Sequence, residues 1–178
     1  MATKKKKICM LGATGVGKTS LVARFVHSIF SDAYRTTVGV TIDKAHVRVD
    51  SHEVDLVMWD LSGEDEFQSV QLAYLRGAAG YLLVADGTRR ETVTTALSLQ
   101  EAAVRVVGNI PLVLVLNKAD VEASWDIDED MEKQLREKKW KLVRTSAKTG
   151  DGVEGAFSAL TRAMLTVDGL VVDSEDRR

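Results

Sequence analysis

The 178-residue chain contains one cysteine, Cys9, and one proline, Pro111. A single thiol excludes an intrachain disulfide framework and fits a reducing compartment, with Cys9 lying in KICML as a small apolar residue. No apolar run approaches the roughly 18–20 residues of a membrane span. The charged N-terminus lacks the apolar centre of a signal peptide, so a cytoplasmic protein is expected. Net charge is −2, which provides no overall basic field to draw the chain to nucleic acid. The one basic block, Lys4–Lys7, reads more simply as a solvated strand entrance than as a lipid or nucleic-acid patch. His27, His46 and His52 are scattered without metal-ligand spacing, and no Ser-His-Asp or Cys-His set can be assembled. No repeat or long linker interrupts the chain.

What is present is ordinary in bulk and regular in pattern. Hydrophobic residues make up 45% and charged residues 28%, enough for one domain with a real core. Short apolar runs alternate with helical periodicity. ICMLG, VTIDKAHVRV, VDLVMWD, AGYLLVAD, IPLVLVLN and KLVRTS read as strands. The second and third are close enough to form a hairpin, with a bulge or fray expected between Ile42 and Ala45, where the apolar phase slips. A helix fits after ICMLG, and another before IPLVLVLN with Val93, Leu97, Val104 and Val107 on one side. MEKQLREKK reads as a charged surface helix. Val153, Phe157, Leu160 and Met164 mark the closing helix. The expected fold is α/β and three-layered, with six strands, mostly parallel, one antiparallel edge strand and about five helices. One domain spans 1–178, with a core over about 5–166 and a polar tail over 167–178. Right-handed crossovers would put the C-terminal ends of the parallel strands on one edge.

The chemistry-bearing motifs sit at such ends. Gly12-Ala-Thr-Gly-Val-Gly-Lys-Thr19 follows a strand, opens a helix and matches G-x-x-x-x-G-K-[ST], a P-loop. Its glycines let backbone N–H groups turn inward, so Gly15, Val16, Gly17, Lys18, Thr19 and Ser20 form the expected phosphate-binding set. Lys18 would reach the β- and γ-phosphates, and the Thr19 hydroxyl would ligate Mg²⁺. Asn117-Lys-Ala-Asp120 ends another strand. A carboxylate at Asp120 can accept from both the ring N–H and the exocyclic amine of guanine, a donor pair that adenine does not offer. Ser146-Ala-Lys148 closes the last strand on the same edge. Asp60 is placed to support Mg²⁺ through water, Gly63 to offer its N–H to a γ-phosphate, and Thr37 to supply a second hydroxyl ligand.

GATGVGKTS, Thr37, WDLSG, NKAD and TSAK, in this order and spacing, resemble the Ras superfamily of small GTPases over roughly residues 5–166. TVGV, WD–SGE–EF and YLRGAAG are most similar to its Rab branch, including prokaryotic Rab-like members. The resemblance implies a P-loop NTPase G domain that binds GTP or GDP with Mg²⁺ and hydrolyses GTP. Two switch loops, about Phe30–Val40 and Gly63–Tyr74, would order around the γ-phosphate and meet protein effectors and regulators. It also implies that Phe30 touches the base, that Lys118 and Lys148 flank it, and that the Ala147 N–H meets its oxygen. The partner set is then a guanine nucleotide and switch-binding proteins, without nucleic acid, on a monomer.

The sequence departs from the family pattern in three places. Glu64, followed by Asp65 and Glu66, stands where the family has a glutamine that orients the attacking water. Ile42 replaces an aromatic residue of a Rab surface cluster whose other members match Trp59 and Tyr74. No cysteine lies near the C-terminus for prenylation, so no stable membrane anchor is expected. Arg35, two residues before Thr37, is a candidate for supplying positive charge to the transition state. Three readings stay open at this point: a GTP-hydrolysing switch slowed by Glu64, a guanine-nucleotide-binding interaction module with little or no hydrolysis, and a P-loop kinase or ATPase.

Overall fold

The structure, a computed structural model, describes residues 3–31, 39–61 and 72–172. Six strands form one sheet: β1 (Lys4–Leu11), β2 (Val40–Val49), β3 (His52–Leu61), β4 (Gly80–Asp86), β5 (Leu112–Asn117) and β6 (Lys141–Arg144). Their order is β2-β3-β1-β4-β5-β6. Only the β2–β3 pair is antiparallel. Four α-helices are described: α1 (Lys18–His27), α2 (Arg90–Val107), α3 (Glu129–Glu137) and α4 (Val153–Val167). A 3-10 helix at Glu122–Ser124 makes the fifth helical element, and residues 72–74 add a helical turn.

Alternation along the strands divides the core in two. Ile8 and Met10 of β1 enter one cluster with Leu21 and Val22 of α1 and Phe157, Leu160 and Met164 of α4. Cys9 and Leu11 enter the other with Val93, Ala96 and Leu99 of α2 and Leu135 of α3. All seven residues of β4 are buried, as expected of a central strand covered on both faces. The α1 and α4 helices meet through Phe25 and Phe157, whose rings stack at 4.0 Å with an interplanar angle of 7°.

Two sequence expectations change. The β2–β3 ladder pairs every residue from Val40↔Leu61 to Val49↔His52, so there is no bulge. Ala45, Val47 and Val49 face the core in simple alternation, and Ile42 lies on the other face at 50% exposure. The apparent phase slip is one exposed apolar residue on an edge strand. In α2, Val93 is buried as expected, but Ala96, Leu99 and Ala103 complete the buried stripe, while Leu97 and Val107 pack at its margin. Two of the three are alanines, small residues fully buried in the cluster beneath the helix. Residues 168–172, the described part of the expected polar tail, lie against the domain. Leu170 and Val171 pack on the core, Lys6 Nζ pairs with Asp168 at 2.7 Å, and the Leu170 carbonyl lies 3.2 Å from His52 Nε2.

Candidate functional site

The five mutually parallel strands β3, β1, β4, β5 and β6 deliver their C-terminal ends to one edge, and the connecting loops converge there. β1 leads into the glycine loop, and Lys18 begins α1 directly after Gly17, which adopts φ 102. A Cβ at Gly17 would lie 2.2 Å from Asn117 Nδ2, so glycine is required by both conformation and space. Lys18 is only 6% exposed, and its ammonium donates to the Gly12 carbonyl at 2.6 Å and the Ala13 carbonyl at 3.1 Å. Burial lowers the Lys18 pKa to about 8, partly opposed by the charge of Asp60. A buried cation held by carbonyl dipoles at the head of a helix is an anion-seeking arrangement.

Asp60, near the end of β3, is 1% exposed and accepts from Thr19 Oγ1 through its Oδ2 at 2.5 Å. Its Oδ1 is buried with no hydrogen-bond partner among the described residues. Burial raises its pKa, against the Thr19 hydrogen bond and the Lys18 charge. An orphaned buried carboxylate oxygen beside a hydroxyl, on the phosphate-loop side of the site, fits a hydrated divalent cation.

Asn117, 2% exposed, joins three segments. Its Nδ2 donates to the Val16 carbonyl at 3.0 Å, while its Oδ1 accepts from Thr145 Oγ1 at 2.9 Å and from the Ala147 N–H at 3.3 Å. This side chain therefore braces the glycine loop against the loop after β6. The Ala147 N–H, which the resemblance aims at a base oxygen, is engaged here by Asn117. Asp120 is exposed, and Ser146 Oγ donates to its Oδ1 at 2.7 Å while accepting from the Thr149 N–H at 3.0 Å. Lys148 is exposed beside them, and Phe30 is half-buried against the α1–α4 core. Lys118 Nζ donates to the Gly15 carbonyl at 3.0 Å and pairs with Asp86 at 2.8 Å.

Thr37, Arg35, Gly63 and Glu64, with most of both expected switch segments, lie outside the described residues. Three participants, Asp86, Arg89 and Arg24, escape the sequence reading. Asp86 is fully buried at the end of β4 and collects Lys118, Thr88 and Arg89. Burial alone would raise its carboxyl pKa, but those hydrogen bonds together hold it below the usual range. Arg24 of α1 donates through Nε to the Ala147 carbonyl at 2.8 Å and through Nη2 to the Lys148 carbonyl. Thr145 supports Asn117. For Asp86 the signal was its place at the end of a fully apolar strand, on the edge that carries the motifs.

A strand, a P-loop and a helix on a mostly parallel sheet, with polar motifs gathered along one edge, define a P-loop nucleotide-binding α/β domain. The Ras family model matches residues 7–166. The chain belongs to the Ras family, whose members are GTP-binding switch proteins and whose G domains bind guanine nucleotide. This removes the kinase and ATPase readings. Among the described residues, no helix is long and apolar enough to cross a membrane.

Proposed function

We propose that this chain is a Mg²⁺-dependent switch that retains GDP tightly and hydrolyses GTP slowly without assistance. It would act as a single G domain, monomeric and cytoplasmic, and closest in motif pattern to the Rab branch. The observation that carries the reading is Lys18, a buried ammonium at the head of α1 whose direct acceptors are two loop carbonyls. A phosphate chain is the counter-charge such a site needs. Thr19 and, through water, Asp60 would hold Mg²⁺, which when bound screens the charge on the phosphates. Thr37 is the proposed second hydroxyl ligand, and Gly63 the proposed backbone donor to the γ-phosphate. Asp120, oriented by Ser146 Oγ, would select guanine, with Phe30, Lys118 and Lys148 about the base.

Hydrolysis turns on Glu64. A glutamine can accept from the attacking water and donate toward the transferring phosphoryl group, whereas an ionised glutamate can only accept. Its charge would also stand near an anionic γ-phosphate, in a reaction governed by positioning and charge stabilisation. Single-turnover hydrolysis of bound GTP tests this: Glu64→Gln is expected to raise the rate by about tenfold or more, a modest share of what such positioning supplies. If Glu64 instead anchors water productively and Arg35 offsets its charge, Glu64→Gln and Arg35→Ala will both slow the reaction. The alternative of a binding module predicts no turnover in the unsubstituted chain.

A further inference from the structure

We propose that Arg89 is a positioning residue for the phosphate loop, fixing the Thr14 carbonyl so that the adjoining amide stays turned toward the nucleotide. The inference rests on the nucleotide-binding reading above. Its anchor is Asp86, a fully buried carboxylate that accepts from the Thr88 N–H at 2.9 Å and from Thr88 Oγ1 at 2.7 Å. Two cations share that carboxylate, Lys118 Nζ at 2.8 Å and Arg89 Nε at 3.0 Å. Each cation then reaches one of two consecutive carbonyls of the glycine loop. Lys118 Nζ donates to Gly15 at 3.0 Å, and Arg89 Nη2 donates to Thr14 at 3.0 Å.

Peptide planarity turns these contacts into control of the amides. In a trans peptide the carbonyl of one residue and the N–H of the next point in opposite directions. Holding the Thr14 carbonyl toward Arg89 therefore orients the Gly15 N–H away from it, and holding the Gly15 carbonyl does the same for the Val16 N–H. Both amides belong to the set expected to meet phosphate. Arg89 makes its two contacts from different nitrogens of one rigid planar fork, with the Asp86 contact fixing the plane. A lysine at this position keeps the charge beside Asp86 but has no fork to span both partners. The Arg89 side chain is 40% exposed, so its contribution is geometric more than electrostatic.

The test follows release of a fluorescent GDP analogue from the full chain, chased with excess GDP. Four proteins are compared: unsubstituted, Arg89→Ala, Arg89→Lys, and Arg105→Ala as an exposed control on α2. Both Arg89 variants are expected to release about tenfold faster, the scale of one lost charge-assisted hydrogen bond. Arg105→Ala should match the unsubstituted chain. Arg89→Lys should keep the unsubstituted melting temperature, and the ³¹P resonance of the β-phosphate of bound GDP should move in both Arg89 variants. The preference for GDP over inosine diphosphate should not change, because the base loop is untouched. Unsubstituted-like release by either Arg89 variant would overturn the inference while leaving the nucleotide reading intact. Failure of the unsubstituted chain to load GDP would bring down both.

Discussion

The side chains at the site divide into those proposed to face the nucleotide and those that hold the loops. Lys18 and Asp60 are buried, and among the described residues Asp60 Oδ1 has no hydrogen-bond partner. Asn117, Arg24 and Asp86, by contrast, are committed to protein carbonyls, amides and cations. Asp120 belongs with the first group. It is exposed, and Ser146 Oγ fixes one of its oxygens. Asp120→Asn replaces an acceptor with a donor at the position proposed to read the guanine amine. The variant is expected to bind GDP at least about a hundredfold more weakly, given the cost of unpaired polar groups in such a site. It should gain affinity for xanthosine diphosphate, whose carbonyl replaces that amine. Competition titrations with both nucleotides decide it, and unchanged preference for guanine would contradict the assignment.

At the scale of elements, the α1–α4 contact is a seam where a single change should be felt. Phe157 is 1% exposed and stacked on Phe25, so Phe157→Ala opens a cavity where the two helices meet. A loss of roughly 3–5 kcal/mol is expected in denaturant unfolding; a loss below about 1 kcal/mol would mean the site collapses freely. This helix face was legible in the sequence because large apolar residues recur at helical spacing. The α2 face was only half legible, since Ala96 and Ala103 carry little hydrophobic weight yet are fully buried. The motif loops were legible because their glycines and polar residues interrupt apolar strands. Asp86, Arg89 and Arg24 were not, because their partners depend on strand order. Thr14 and Arg89 are 75 residues apart and meet because β4 lies beside β1. Ile42 misled for the opposite reason, as an apolar residue left on the exposed face of an edge strand.

For the whole molecule, the sheet supplies a rigid floor and the site spans the ends of several strands, so local electrostatics couple to global stability. Asp86 shows this most clearly. Its folded pKa lies below the ordinary carboxylate range despite burial, because Lys118, Thr88 and Arg89 hydrogen-bond to it. Its stabilisation is therefore fully present above the unfolded value of about 3.9 and is lost as pH falls through the lower folded value. Asp86→Asn should melt at a lower temperature than the unsubstituted chain at pH 7, with the gap closing below about pH 4. A gap that stays constant from pH 7 to pH 3 would show that the charge of Asp86 is not what stabilises the fold.

The central claim is that one edge of this sheet holds a guanine nucleotide through its phosphates and its base together. Competition against labelled GDP in the presence of Mg²⁺ tests it most directly. Unlabelled GDP and GTP should displace the label at comparable concentrations, and ATP should require at least about a thousandfold more, as expected where the wrong base leaves buried polar groups unpaired. Displacement by ATP as readily as by GTP would contradict the account.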